Sequence, residues 1–129
     1  RKAIPPCFSD FERGIAVLRI SLVMQTLTAL DRAGLQKGQE VFTEGGFRKN
    51  EAYNVMLSSA LTDNPLALTD ITEATAFGAA MTAKMALTGK SLEDLRNDFT
   101  VMYQEVPKVQ LAELESYRQA WLNHIDESY

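Results

Sequence analysis

"VFTEGGFRKNEAYN", residues 41–54, leads an apolar strand-like pair, Val41 and Phe42, through two glycines into a helix-like run. Within "QEVFTE" that pair makes the best strand candidate in the chain, and Gly45-Gly46 stops it. Glycines at such a bend let the backbone take positive φ and let another group approach without meeting a Cβ. The helix that follows points unpaired N–H groups back at the turn, an arrangement that attracts anions. Arg48 and Lys49 come next, at the expected start of a helix over about Arg48 to Leu61. The macrodipole opposes positive charge there unless an anion lies close, so their position hints at phosphate. A tight turn with two solvated cations is the competing reading, and composition alone favours it. The stretch is neither a Walker loop nor a dinucleotide fingerprint, because it lacks both GKT/S and GxGxxG.

Working outward, Pro5-Pro6 makes residues 1–8 an extended arm or loop. Ser9 with Glu12 has capping-box spacing, which predicts a long helix from about Asp10 to Ala33, ended by Gly34. Its apolar residues are Phe11, Ile15, Leu18, Leu22, Val23, Leu27 and Leu30, widened by Val17, Ile20 and Met24. So broad a stripe predicts burial on most of the helix circumference. Downstream, "NPLALTD" reads as a second strand, and Asp70 with Glu73 as the next helix cap. The third helix, "TEATAFGAAMTAKMAL", runs to Thr88 and stops at Gly89. Its Gly78 costs about 0.8–1.0 kcal/mol relative to alanine, which close packing is expected to offset. Ser91 opens a short helix in "SLEDLRNDF", and "PKVQLAELESYRQAWLNHIDES" is a final amphipathic helix with Val109, Leu111, Leu114 and Trp121 among its contacts. Two strands are few for a sheet. Either others come from a region beyond this chain, or a helical domain carries a small hairpin-like element.

With 129 residues, 46% hydrophobic and 23% charged, the chain suits one soluble globular domain. A net charge of −4 argues against a non-specific nucleic-acid binder. The longest apolar stretch, "GIAVLRISLVM", is broken by Arg19 and is too short to span a bilayer, so no membrane partner is expected. A single cysteine, Cys7, excludes an internal disulfide and fits a cytoplasmic setting. The opening "RKAIPPCFSDFER" has no initiator methionine and reads like mid-protein loop, so a piece of a longer protein is expected. No cluster has metal-ligand spacing, Cys7 has no base beside it in sequence, and His124 reads as a surface residue. Glu12, Glu44 and Glu73 could do acid–base work, but each reads better as a cap, surface group or ion-pair partner. Tyr103, Tyr117 and Trp121 read as core or interface.

At "TEGGFRKNEAYNVMLSSAL" followed by "NPLALTDITEATAFGAAMTAK", the chain resembles the FGGY family of carbohydrate kinases. That family carries a D/G-G-G-x-x-x-N strand-turn-helix, a short strand and an E-A-T-A-x-G-A-A helix. "DFERGIAVLRI" is similar to its E-G-I-A-like helix, with Arg13 inserted between Glu12 and Gly14. The resemblance covers most of residues 9–89. It implies an α/β fold, helix-rich with few strands: the C-terminal part of the second of two actin-like, ribonuclease-H-like domains. The start of that domain and the whole of the first would lie outside the chain. It also implies that Gly45 and Gly46 lie against the nucleotide, Gly46 nearest its phosphates, and that Asn50 faces the adenine. Glu44 and Phe47 depart from the commonest form of the motif. ATP and Mg2+ are the implied cofactors, and a ketose or polyol such as fuculose, rhamnulose or xylulose the implied substrate. The implied partners are the remainder of the kinase chain and, as one allowed assembly, a second copy in a homodimer. No catalytic residue is assigned in this chain, since Asp10, Asp31 and Asp70 do not match the family's catalytic-aspartate motif, and the segment alone is expected to be inactive. The alternative from another class is a non-catalytic actin-like interaction module whose glycine turn is purely structural.

Overall fold

The computed structural model describes residues 3–126 apart from Thr72. It is a mixed α/β structure, rich in helix, with a small sheet of three strands among the described residues. In chain order the elements are α1 (Phe11–Arg32), β1 (Val41–Thr43), α2 (Gly45–Arg48), α3 (Glu51–Ala60) and β2 (Leu66–Thr69). Then come α4 (Ala74–Thr88), α5 (Leu92–Leu95), β3 (Tyr103–Glu105) and α6 (Leu114–Asp126). β1 pairs with β2 in parallel, Val41 beside Leu66 and Thr43 beside Leu68. β3 joins the other side of β2 antiparallel, Ala67 beside Glu105. The parallel pair excludes a hairpin, because parallel strands need a crossover, here α2 and α3.

Strand periodicity sends Val41, Leu66 and Leu68 to one face of the sheet. There they meet Val23, Met24 and Leu27 of α1, Tyr53 and Leu57 of α3, and Leu61 and Val106, which together form the core. Two polar links fix the layers. Thr26 Oγ1 and Tyr53 Oη are 2.7 Å apart between α1 and α3, and the buried Ser58 donates to the Val106 carbonyl at 2.9 Å. On the other face Phe42 and Tyr103 reach across β2, their ring centroids 5.3 Å apart.

Helix ends follow local chemistry, with corrections. Gly34 takes φ +84°, and the Gly34 and Leu35 N–H groups bond to the Asp31 and Leu30 carbonyls, a Schellman ending for α1. The N-cap of α1 is Asp10, not Ser9: its Oδ1 accepts from Arg13 N at 2.8 Å, while the Ser9 hydroxyl turns back to the Pro6 carbonyl at 2.6 Å. Asp70 does not cap α4 either. Its carboxylate accepts from Met102 N at 3.1 Å, beside the β2–β3 pair, and Glu73 holds the cap position without a side-chain bond. The Ser91 capping box forms with Asp94, and Gly89 ends α4 at φ +68°.

The final helix is shorter than its sequence suggests. Residues 107–111 instead run past α3 without regular secondary structure, Val109 N donating to Ser59 Oγ. There the Lys108 ammonium donates to the carbonyls of Leu61, Thr62 and Asn64, just past the C-terminal end of α3, where positive charge suits the macrodipole.

Burial of α1 is the largest difference. Only Gly14, Val23, Met24 and Leu27 are buried, whereas Phe11 is 81% exposed and Ile15, Leu18 and Leu22 are exposed along the opposite face. The sheet, α3 and α6 cover one side of this helix and Phe8 lies over Gly14, which leaves the Phe11–Leu22 face open. At 22 residues, α1 is also long and apolar enough, by length and composition, to cross a membrane, unlike the shorter run broken at Arg19. Gly78 is a second correction. It lies in the open, and a Cβ there would meet nothing within 4 Å, so packing does not offset its cost.

Gly78→Ala should therefore raise the stability of the chain by about 0.5–1 kcal/mol in urea denaturation; destabilisation would mean that another surface covers this face. A second expectation concerns pH. The hydrogen bond from Lys84, aided by the charges of Lys84 and Lys90, holds the Asp98 carboxyl below its ordinary range, and the hydrogen bonds from Ser91 do the same for Asp94. Depressed carboxyl values stabilise above the unfolded-state pKa, and that contribution disappears as pH falls through the lower folded values. An NMR titration should show both aspartates still ionised where free aspartate is half protonated, with α5 loosening only at lower pH.

Candidate functional site

Because β1 and β2 run parallel, their carboxyl ends lie at the same edge of the sheet. Ligands of open α/β sheets bind beyond such ends. Here that edge carries the glycine turn. Glu44 is extended at φ −132° and ψ 176°, and its carboxylate accepts from the Thr69 hydroxyl at 3.0 Å, tying the end of β1 to the end of β2. Gly45 follows at φ +60°, a conformation that glycine adopts without strain. A Cβ on Gly45 or Gly46 would meet nothing within 4 Å beyond its chain neighbours and its own helix backbone. The backbone at this bend is therefore bare and faces open space.

The helix after the bend is broken in two, which corrects the expected single helix from Arg48. α2 ends at Arg48, Lys49 is its C-cap, and Asn50 caps α3 by accepting from Tyr53 N at 3.1 Å. Arg48 thus sits in a last turn, where cations are tolerated, and the charge in the first turn of α3 is the acidic Glu51. The inference of phosphate from misplaced cations therefore does not hold; the open glycine backbone remains.

All three residues implied as nucleotide contacts, Gly45, Gly46 and Asn50, fall within this one bend, although the Asn50 Oδ1 is engaged in capping. Two residues that sequence reasoning missed hold the bend in place, Thr69 and Asn54. Asn54 is 1% exposed, and its Nδ2 donates to the carbonyls of Phe47 at 2.9 Å and Arg48 at 3.2 Å. An asparagine between Tyr53 and Leu57 on a packed helix face was the available signal. Arg48 Nε and Asn54 Oδ1 are buried without a hydrogen-bond partner among the described residues, the kind of open polarity that calls for an explanation. Phe47 projects a half-exposed ring, packed on Tyr53 at 4.9 Å between centroids.

Other candidates contribute less. A groove of about 570 Å³ between α4, α5 and residues 99–103 is lined by Phe77, Met81, Leu92, Phe99 and Tyr103, and none of the bend residues reaches it. No group of three or more His, Cys, Asp or Glu among the described residues could hold a metal ion. Tyr103 is exposed beside Phe42, and Trp121 packs against the core. Searches against protein families, curated proteins and solved structures gave no match to the chain.

If Asn54 anchors the bend, Asn54→Ala should cost about 1–3 kcal/mol in urea denaturation, because the Arg48 and Phe47 carbonyls each lose the bond from its amide, Phe47 keeping the one from Asn50 N. An unchanged midpoint would show that α2 is held by other contacts.

Proposed function

We propose that this chain is the C-terminal, nucleotide-contacting part of the second domain of an FGGY-type carbohydrate kinase, with a ribonuclease-H-like, actin-like fold in the whole protein. The reaction is ATP-dependent phosphorylation of a sugar hydroxyl, on a ketose or polyol such as fuculose, rhamnulose or xylulose, in the cytoplasm. The observation that carries this reading is the bare backbone of Gly45 and Gly46 at the shared carboxyl edge of the parallel strands. It supports the roles implied by the motif resemblance, since a triphosphate can lie against a bend that presents no side chain.

In this reading Gly45 and Gly46 receive the phosphates and Asn50 sits toward the adenine. ATP supplies the phosphoryl group, and Mg2+ offsets its charge. The described residues offer no acidic cluster for that ion, so it would arrive with the nucleotide and be held from elsewhere in the kinase. By the same resemblance the catalytic aspartate would lie near the start of the second domain, outside this chain. The uncovered side of α1, with Phe11, Ile15, Leu18 and Leu22, fits a segment that docks onto the rest of its own chain. That face also supports the second reading, a non-catalytic interaction module.

Gly46→Val separates the two. Beyond its chain neighbours and its own helix backbone, the added Cβ meets nothing within 4 Å, so the variant should fold. In the complete kinase it should weaken ATP binding at least tenfold, about 1.4 kcal/mol, by calorimetric titration. Unchanged affinity in the folded variant would favour the interaction module.

A further inference from the structure

We propose that the groove between α4, α5 and residues 99–103 binds a free aromatic α-amino acid, at a site separate from the glycine bend and independent of the nucleotide reading above. At about 570 Å³ the groove lies inside the usual range for small-molecule sites, about 300–1,000 Å³. Its walls are aromatic and already fixed. Phe77 of α4 meets Phe99 edge to face, their ring centroids 5.0 Å apart. Lys84 Nζ lies 4.9 Å from the centre of the Phe99 ring and is itself held by Asp98 at 2.8 Å. The wholly buried Leu95 and the Ser91–Asp94 capping box fix α5, and Tyr103 adds a wall from β3. Little ordering is therefore needed to receive a ring, and edge-to-face or offset contact with these aromatics favours one.

The charges at the rim set the rest of the ligand. Lys84 and Lys90 both pair with Asp98, and the Asp94 carboxylate accepts from Ser91. Those groups are engaged within the fold. Glu93 and Arg96, which also line the groove, are not: Oε1 and Nη1 stand 4.0 Å apart, too far for a hydrogen bond, and the side chains are 87% and 82% exposed. So open a pair contributes little by itself. The groove thus presents one carboxylate and one guanidinium at the edge of an aromatic surface. An α-amino acid carries the matching groups on a single carbon. Its carboxylate takes the Arg96 fork, its ammonium meets Glu93, and its ring enters among Phe77, Phe99 and Tyr103. An aromatic acid would leave Glu93 opposed and an aromatic amine would leave Arg96 unanswered, so the zwitterion is the occupant that both charges select.

The test titrates the 129-residue chain with L-phenylalanine, L-alanine, 3-phenylpropionate and L-phenylalaninamide, following the backbone amide NMR signals of Phe77, Met81 and residues 92–103. L-Phenylalanine should move these signals saturably and bind about tenfold or more tightly than each of the other three, which lack in turn the ring, the ammonium and the carboxylate. Arg96→Gln should bring phenylalanine within about twofold of phenylalaninamide, and Glu93→Gln should bring it within about twofold of phenylpropionate. Both side chains are exposed, so unchanged urea midpoints should show that the variants fold. Alanine binding as tightly as phenylalanine overturns the inference, because the ring then contributes nothing. Phenylpropionate or phenylalaninamide matching phenylalanine in the wild type overturns it as well, the second by pointing to a peptide amino terminus. Full phenylalanine affinity in both variants does the same, and a wild type that shows no saturable shift with any probe removes the site.

Discussion

The lateral pairing of Val41 with Leu66 constrains everything at the functional end of this molecule. Two strands running in the same direction cannot be joined by a tight turn, so the chain must leave β1, cross the sheet and return. The crossover is α2 and α3, and its first residues are forced to begin where β1 stops. Had β1 and β2 run antiparallel, Glu44 and Thr69 would lie at opposite edges. In the parallel arrangement they lie 3.0 Å apart between side-chain oxygens, and the glycines emerge from an edge already fastened. Leu66 and Leu57, both almost completely buried, hold the returning helix against that sheet.

Features set by neighbouring residues were readable from the sequence. The strand at Val41, the strand in "NPLALTD", the endings at Gly34 and Gly89 and the cap at Ser91 are all written within a few residues of themselves. β3 is different. "YQE" has no apolar alternation and all three residues are exposed, so it becomes a strand only because β2 offers it a partner. The split between α2 and α3 was missed for a related reason. An unbroken helix from Arg48 and a fresh start at Asn50 both suit local propensity, and the bonds from Asn54 to the Phe47 and Arg48 carbonyls belong to the second.

Periodicity misled most on α1. It reports that a helix has apolar residues on a face; it does not report whether this chain supplies a neighbour for that face. Two apolar sides were taken as one wide buried surface, whereas Val23, Met24 and Leu27 meet the core and Phe11, Ile15, Leu18 and Leu22 do not. Gly78 teaches the same lesson on α4, since its bareness meets nothing within this chain. At the candidate site the glycine pair was visible by residue type alone. Thr69 was not, because its hydroxyl acts on Glu44, 25 positions earlier.

Lys108 carries a consequence for the order in which the molecule assembles. One ammonium gathers three carbonyls from the turn that links α3 to β2, across a separation of 44 to 47 residues. A link spanning that much chain closes late, after the entropy of a large loop has been lost. The crossover that creates the glycine edge can thus form first and is fastened from behind last, by a residue that leaves the ribosome well after it.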